Sequence, residues 1–469
     1  MGENPHIEDA DVVAEKPMEV FEDQRLSRDF VREICAALDA HDDARVSDLV
    51  DPLHEADLAD LIEQLGSGPR ADLVRVLGPS VSAEVLSELE DSVREDLLDE
   101  LEAHEVADAV VQLESDDAVD ILEDMDAERQ RQVLDAVPEL ERLALEESLS
   151  YPEDSAGRLM QRDLIAVPEF WTVGKTIDYL RENQDLTSEF WEIFVVDPAY
   201  KPVGTMRLSY ILRSPRDAKI QDLMQVEQRL IPVDMDQEEV AFLFRQYHLI
   251  SAAVVDAQQR LVGMITADDV VEVINEEAEE DMLAMAGVSE VDIHESIMHT
   301  ARARFTWLFV NLGTAVLASY VISFFGATIE QMVALAILMP IVASMGGNAG
   351  TQTMTVAVRA LAMNQLTTSN ALRILNKELA VSGANGILLA VIMGLFGAFW
   401  FDDAMLGIVL AVAMIVNLLV AGLAGMLVPL MLDRLDIDPA ISSSVFVTTV
   451  TDVVGFFAFL GLAALWLFA

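Results

Sequence analysis

The chain ends in VFVTTVTDVVGFFAFLGLAALWL, Val445 to Leu467, an apolar run with one charged residue, Asp452. At roughly 1.5 Å per residue such a run is long enough to cross a bilayer as a helix. A lone Asp near a helix centre costs about 2.5 to 3.5 kcal/mol there, so such residues face a bundle interior or a water-filled path rather than lipid. Two readings follow. Asp452 either holds a cation along a path, or it only bonds the neighbouring hydroxyls of Thr448, Thr449 and Thr451.

Working outward, four more apolar spans precede it, so five are predicted: Phe305 to Phe325, Met332 to Ala357, Leu379 to Trp400, Ala404 to Leu432 and Ile441 to Phe468. Arg302 and Arg304 lie before the first, Arg359, Arg373 and Lys377 between the second and third, and Arg434 between the fourth and fifth. The remaining loops carry no basic residue, so the soluble part is predicted to be cytoplasmic and the C-terminus outside. The second span contains Pro340 and the run Gly346-Gly347-Asn348-Ala349-Gly350-Thr351-Gln352. This predicts an interrupted helix whose irregular backbone lines a hydrated cavity, with Gly346, Gly347 and Asn348 along it. Gly383, Gly386, Gly394, Gly397, Gly422 and Gly425 read instead as helix-packing glycines.

The charge is unevenly placed. About −50 of the net −52 lies in the first 300 residues, a balance that repels nucleic acid and anionic lipid and attracts cations. Only five of the 29 basic residues are Lys, a pattern that adaptation to a salty cytoplasm would also produce. One cysteine, Cys35, excludes an intramolecular disulfide framework. Residues 1–24 read as a disordered acidic tail with no apolar core for a signal peptide.

Within residues 25–150, pairs of apolar residues recur about every 12 positions: Leu58 and Leu61, Leu73 and Leu77, Val85 and Leu89, Leu97 and Leu101, Val106 and Val110, Ile121 and Met125, Leu134 and Val137. With breaks at Gly66 to Pro69, Gly78-Pro79, Glu114 to Asp117 and Pro138, they predict a superhelix of short paired helices. It offers carboxylate clusters such as Asp116, Asp117, Asp120, Glu123 and Asp124. No nucleophile and base pair stands out for an enzyme.

Residues 151–275 repeat internally. Met160, Val195-Val196-Asp197 and Val203-Gly204 recur as Met224, Val254-Val255-Asp256 and Val262-Gly263, at offsets of 64, 59 and 59 residues. Each copy is an apolar strand, a turn and a second strand flanked by helices. The pattern resembles a tandem pair of CBS domains. In the second copy Gly263 to Val270 resembles that family's adenosine-binding signature, which implies that Thr266 contacts phosphate and Asp269 the ribose of ATP or another adenosine nucleotide. The first copy has Arg207 and Ser209-Tyr210 at the matching places.

Between Asp268 and Asp281 lie eight acids and no base. On a helix Asp269, Glu272, Glu276 and Glu280 form one row beside Val270, Ile274, Ala278 and Met282, and Glu277 falls next to it. Like charges at this spacing cost about 0.2 to 0.5 kcal/mol per pair, which bound divalent cations would offset.

Tyr151-Pro152-Glu153-Asp154-Ser155-Ala156-Gly157-Arg158-Leu159-Met160, the acidic connector, Pro340 with Gly346 to Gln352, and Asp452-Val453-Val454-Gly455 together resemble the MgtE magnesium transporters over nearly the whole chain. The resemblance implies four parts: a cytoplasmic all-α helical-repeat superhelix (25–150), an α/β tandem CBS pair (151–275), a connecting plug helix (276–301) and an all-α five-helix transmembrane domain (302–469). It also implies a homodimer in the inner (plasma) membrane whose pore, between protomers and among lipid, is lined by the second and fifth spans, including Pro340, Asn348, Thr448 and Asp452. Transported Mg²⁺, with Co²⁺ as a further ion, passes Asp452. Regulatory Mg²⁺ at acids such as Asp117, Asp120, Asp268, Asp269, Glu272, Glu276, Glu277 and Glu280 is expected to draw the cytoplasmic parts together and shut the gate. The alternatives are a CBS-regulated carrier of another solute and a membrane-anchored nucleotide or metal sensor that transports nothing.

Overall fold

A computed structural model describes residues 20–22, 25–77, 83–183, 186, 190–288, 297–363, 365–367, 369–435 and 437–467. Its contacts divide the chain into two compact units, Met1–Val270 and Val271–Ala469. The expected tail lies outside the described residues up to position 19. Its end forms β1 (Phe21–Glu22), antiparallel to β2 (Arg25–Leu26).

Ten helices follow: α1 (Arg28–Asp39), α2 (Asp43–Val50), α3 (Glu55–Gln64), α4 (Ser67–Leu77), α5 (Ala83–Ser87), α6 (Asp91–Glu100), α7 (Ala103–Val110), α8 (Ser115–Glu123), α9 (Ala127–Ala136) and α10 (Glu139–Leu149). Each of the seven apolar pairs falls on, or just past the end of, its own helix from α3 to α9, and all feed one continuous core. Two predicted breaks are helix starts instead. Pro69 sits in the first turn of α4, where a missing N–H costs nothing, and Asp116 and Asp117 occupy the first turn of α8, where acids suit the positive end of the helix dipole. The Gly78-Pro79 break lies outside the described residues.

Two arginines, Arg70 and Arg94, are buried in this domain. Arg94 on α6 is 2% exposed. Its Nη2 meets Asp91 Oδ1 at 2.8 Å and Asp124 Oδ2 at 2.5 Å, and its Nη1 meets Asp120 Oδ2 at 2.8 Å. Burial opposes the guanidinium charge, but the three carboxylates outweigh it and hold the pKa above the ordinary value.

The internal repeat is reproduced in the strand registers. The elements are α11 (Ala156–Leu159), β3 (Ala166–Pro168), α12 (Val173–Glu182), β4 (Glu192–Val196), β5 (Pro202–Arg207), α13 (Leu208–Ile211), α14 (Ile220–Leu223), β6 (Leu230–Pro232), α15 (Gln237–Tyr247), β7 (Ser251–Val255) and β8 (Leu261–Thr266). In the sheet β3-β4-β5 the first pair is parallel and the second antiparallel, and β6-β7-β8 is the same. Both antiparallel pairs shift register at the same place, between Val195 and Val196 and between Val254 and Val255. The copies also exchange edges, because Gln161 bridges to Met264 while its counterpart Gln225 bridges to Thr205.

The connector is a single helix, α16 (Ala267–Met285), which starts inside the CBS signature and stops well before residue 301. It ends in a Schellman arrangement: Val288 N donates to Leu283 O at 3.0 Å, Gly287 N donates to Ala284 O at 2.9 Å, and Gly287 has φ +71°. Of the predicted apolar row only Val270 is buried; Met282 is 67% exposed, and Val273 and Ala284 are buried in its stead.

Among the described residues five helices are long and apolar enough to cross a membrane: α17 (Ile297–Ser323), α19 (Ala334–Ala362), α20 (Ala371–Phe401), α21 (Ala404–Asp433) and α22 (Pro439–Leu467), with the short α18 (Gly326–Gln331) between the first two. The predicted interruption of the second span is absent. α19 runs unbroken through Pro340 and Gly346 to Gly350, so the proline removes one ladder donor without unwinding the helix. α21, buried along most of its length, is the post against which α19, α20 and α22 pack. The α20 contact uses glycines: a methyl on Gly394 would lie 3.0 Å from Ala411 Cβ, and one on Gly397 would lie 3.2 Å from Leu410 Cδ2.

Replacing Arg94 removes a buried guanidinium and leaves Asp124, partly buried, and Asp91 and Asp120, both largely exposed, without their shared cation. Arg94→Ala is therefore expected to destabilise the helical repeats by about 1 to 3 kcal/mol, read as a lower thermal midpoint and faster proteolysis there. Wild-type resistance in Arg94→Ala would show that the aspartates do not need this cation.

Candidate cation path and cytoplasmic acidic cluster

On α22 the hydroxyls near Asp452 are already committed. Thr448 Oγ1 donates to Ser444 O at 2.9 Å, Thr449 Oγ1 to Val445 O at 2.6 Å, and Thr451 Oγ1 to Thr448 O at 2.9 Å. Their protons go to carbonyls of the same helix, so none serves the carboxylate. Among the described residues no hydrogen bond or ion pair reaches Asp452. Ser444, Thr448 and Asp452, each partly exposed, follow one another at intervals of four along a single face.

α19 presents a matching row. Ser344, Asn348, Thr351, Gln352 and Thr355 are all exposed and share one face of the helix. Against hydrocarbon such a row is unfavourable, and it suits water or a protein partner. The two rows stand at the same depth. Gly350 packs on α22, where a methyl group would lie 2.6 Å from Val447 Cγ1 and 3.5 Å from Thr451 Cγ2.

Of the residues predicted along the path, Asn348, Thr448 and Asp452 lie on these faces. A methyl on Gly347 would meet nothing within 4 Å. Gly346, also predicted there, is instead buried against α21, where a methyl would collide with the Asn417 carboxamide. Pro340 is exposed but breaks nothing. Asn417, fully buried, has no counterpart in the sequence reading, since one amide in a leucine-rich span carries no pattern.

In the first unit the start of α8 meets the CBS pair. Gln161 Nε2 donates to Glu114, and Arg162 N donates to Ser115 Oγ at 2.7 Å. Arg158 Nη1 pairs with Glu123 Oε2 at 2.6 Å, and Arg162 Nη1 with Glu147 Oε2 at 2.9 Å. Between these contacts lies an uncompensated patch. Asp116 is 9% exposed, its Oδ1 has no partner, and burial, then the nearby charges of Asp269, Asp117 and Glu114, push its carboxyl well above the usual range. Asp269 is raised too, by burial first, although Thr266 N and Oγ1 donate to its Oδ2 at 3.1 and 2.6 Å. The two signature residues expected to contact a nucleotide therefore bond each other.

The other predicted metal ligands are scattered. Asp120 shares Arg94 with Asp91 and Asp124, whereas Asp117 and Asp268 stand beside the Asp116 and Asp269 patch. Glu272, Glu276 and Glu280 are exposed along α16, with Glu277 partly so. Among the described residues no three His, Cys, Asp or Glu side chains converge into a ready metal cage.

In the second unit the end of α16 is held against the spans. Ala284 and Met285 pack with Met354 and Val358 of α19, Val428 of α21, and Ala440 and Val447 of α22. Burial and the neighbouring charge of Asp438 raise the Asp281 carboxyl at that joint.

The chain was compared with known proteins. A family model described as a divalent cation transporter matches residues 339–462, one for the MgtE intracellular N domain matches 53–154, and a CBS domain matches 220–276. A magnesium transporter MgtE of Bacillus subtilis is 30% identical over 318 residues, 67% of this chain and 70% of that protein. The Thermus thermophilus magnesium transporter MgtE is 32% identical, over 70% of this chain and 73% of that one. A solved cytosolic domain of an Mg²⁺ channel MgtE in complex with ATP is 28% identical, covers 52% of this chain and 99% of that one, and superposes with a TM-score of 0.49. These relatives are ion transporters and not enzymes, and with two thirds of their length matched at this identity, the chain belongs to the MgtE family.

Proposed function

We propose that the chain carries Mg²⁺ across the membrane along the polar faces of α19 and α22, with Asp452 as the carboxylate that receives the ion. The observation carrying this reading is that, among the described residues, Asp452 has no hydroxyl or cationic partner although it lies on an apolar span. Mg²⁺ sheds water reluctantly and is held by one or two carboxylates plus retained waters, so a wide face with few charges suits it better than a dehydrating cage. Two copies of the chain, face to face, would bring two Asp452 side chains and both polar rows to one axis, which is why a homodimer with its path between protomers is part of the proposal. Other small divalent ions such as Co²⁺ fit the same chemistry. The loop charges favour a cytoplasmic first unit and an external C-terminus.

The cytoplasmic gate belongs to the same proposal. Two arginine to glutamate pairs already join the helical repeats to the CBS pair, so a cation acts mainly at the buried Asp116 and its neighbour Asp269. A carboxylate buried beside another is tolerated only when it is protonated or a cation joins it. Mg²⁺ bound there favours the docked state by its differential affinity for it, and the signal leaves through α16, whose end touches α19 and α22.

Asp452→Ala is expected to abolish Mg²⁺ uptake into liposomes while insertion and assembly persist, and Asp452→Asn to lose most of it, because the shape stays and the charge goes. Normal flux through either protein would remove Asp452 from the path.

For the gate the sign follows from the raised Asp116 carboxyl. The docked state holds that proton more tightly than the undocked one, so docking strengthens as pH falls toward the raised value and weakens as pH rises through it. Asp116→Asn is expected to dock without Mg²⁺ and without this pH dependence, measured as protease protection between α10 and α11. Equal protection of the wild type in Mg²⁺ and in KCl of matched ionic strength would reduce the acids to a solubility device.

A further inference from the structure

α21 contributes nothing to either polar row, yet it buries one polar side chain. Asn417 is the only polar residue among its buried positions. Its Nδ2 donates to Val342 O of α19 at 2.8 Å. That bond fixes which end of the carboxamide is nitrogen, so the opposite atom, Oδ1, is the acceptor left buried without a protein partner among the described residues. An unsatisfied amide inside a membrane bundle is unfavourable, and a leucine of similar size would fill the same space without that cost.

The carboxamide sits in a slot cut by two glycines. A methyl on Gly346 would collide with it, and one on Gly455 would lie 2.8 Å from Nδ2 and 3.1 Å from Oδ1. Gly346 is on α19, two residues before Asn348, and Gly455 is on α22, three residues after Asp452. One rigid amide is therefore wedged between the backbones of the two helices that carry the polar rows. It lies beside the direct contact between α19 and α22 at Gly350 and Val447, near the depth of the carboxylate.

We propose that Asn417 is a positioning residue for ion transport: from outside the path it holds α19 at a fixed distance from α22 and thereby sets the room available to a hydrated divalent ion at Asp452. The inference rests on the transport reading above. It assigns selectivity to a helix that touches no ion.

The test uses the full-length protein in liposomes, with Mg²⁺ uptake and its inhibition by Ca²⁺ measured per assembled protein. Gly346→Ala is expected to lower Mg²⁺ uptake about tenfold, because the methyl pushes on Asn417, and Asn417→Ala combined with Gly346→Ala to recover most of that loss, so that the two changes are strongly non-additive. Gly455→Ala paired with Asn417→Ala gives a second, independent cycle should Gly346→Ala fail to assemble. Asn417→Ala and Asn417→Leu alone are expected to shift the Ca²⁺ concentration for half-inhibition about threefold or more, a change that mere loss of stability does not produce. Additive losses in the cycles, or unchanged Ca²⁺ competition in both Asn417 variants, overturn the proposal. Absence of Mg²⁺ flux in the wild type, or normal flux in Asp452→Ala, would instead overturn the transport reading on which it stands.

Discussion

A carboxylate inside an apolar bundle must be protonated, paired or attended by a cation, and the second unit is arranged so that pairing is closed off. The hydroxyls of Thr448, Thr449 and Thr451 turn back onto their own helix, and among the described residues no arginine or lysine reaches Asp452. Threonine bonding to the preceding turn is usually read as a local accommodation. Here it also keeps these hydroxyls from the Asp452 oxygens. The rest of the unit follows from that requirement. α21 supplies apolar bulk and small residues for close packing, which leaves α19 and α22 free to turn polar rows outward.

The first unit solves a related problem by different means. Its surplus of negative charge does not by itself keep its parts separate, because arginine is placed where acids would collide. Arg94 ties three aspartates inside the helical repeats, while Arg158 and Arg162 join the repeats to the CBS pair. The buried Asp116, with Asp269 beside it, has only acids among the neighbouring charges that act most strongly on it.

Much of this was legible in the residues, and the failures have physical reasons. The seven apolar pairs marked seven helices because helical periodicity and burial coincide in a short amphipathic helix. The offsets of 64 and 59 residues marked two equivalent sheets because duplicated backbones keep their pairing even where side chains diverge. Pro340 misled because a proline removes one donor, and a helix packed on two others tolerates that without opening. Among the acids, Asp120 looked like a ligand and proved to be Arg94's partner. Asp116, one of several acids in the same cluster, proved to be the buried one. That distinction is made by the docking of α8 on the CBS pair, a long-range contact that local periodicity does not encode. Asn417 was invisible for a similar reason: its meaning lies in two glycines on two other helices.

The exchange of edges between the CBS copies has a mechanical side. Because Gln161 pairs with β8 of the second copy and Gln225 with β5 of the first, neither copy has a complete edge without the other, and the two halves cannot hinge apart without breaking backbone bonds. Residues 161 and 162 also carry the contacts to Glu114 and Ser115, so the seat of the helical repeats is stitched directly to the strand whose end, Thr266, begins α16. A tug on the repeats is thus delivered to the start of that helix through backbone bonds rather than a soft joint.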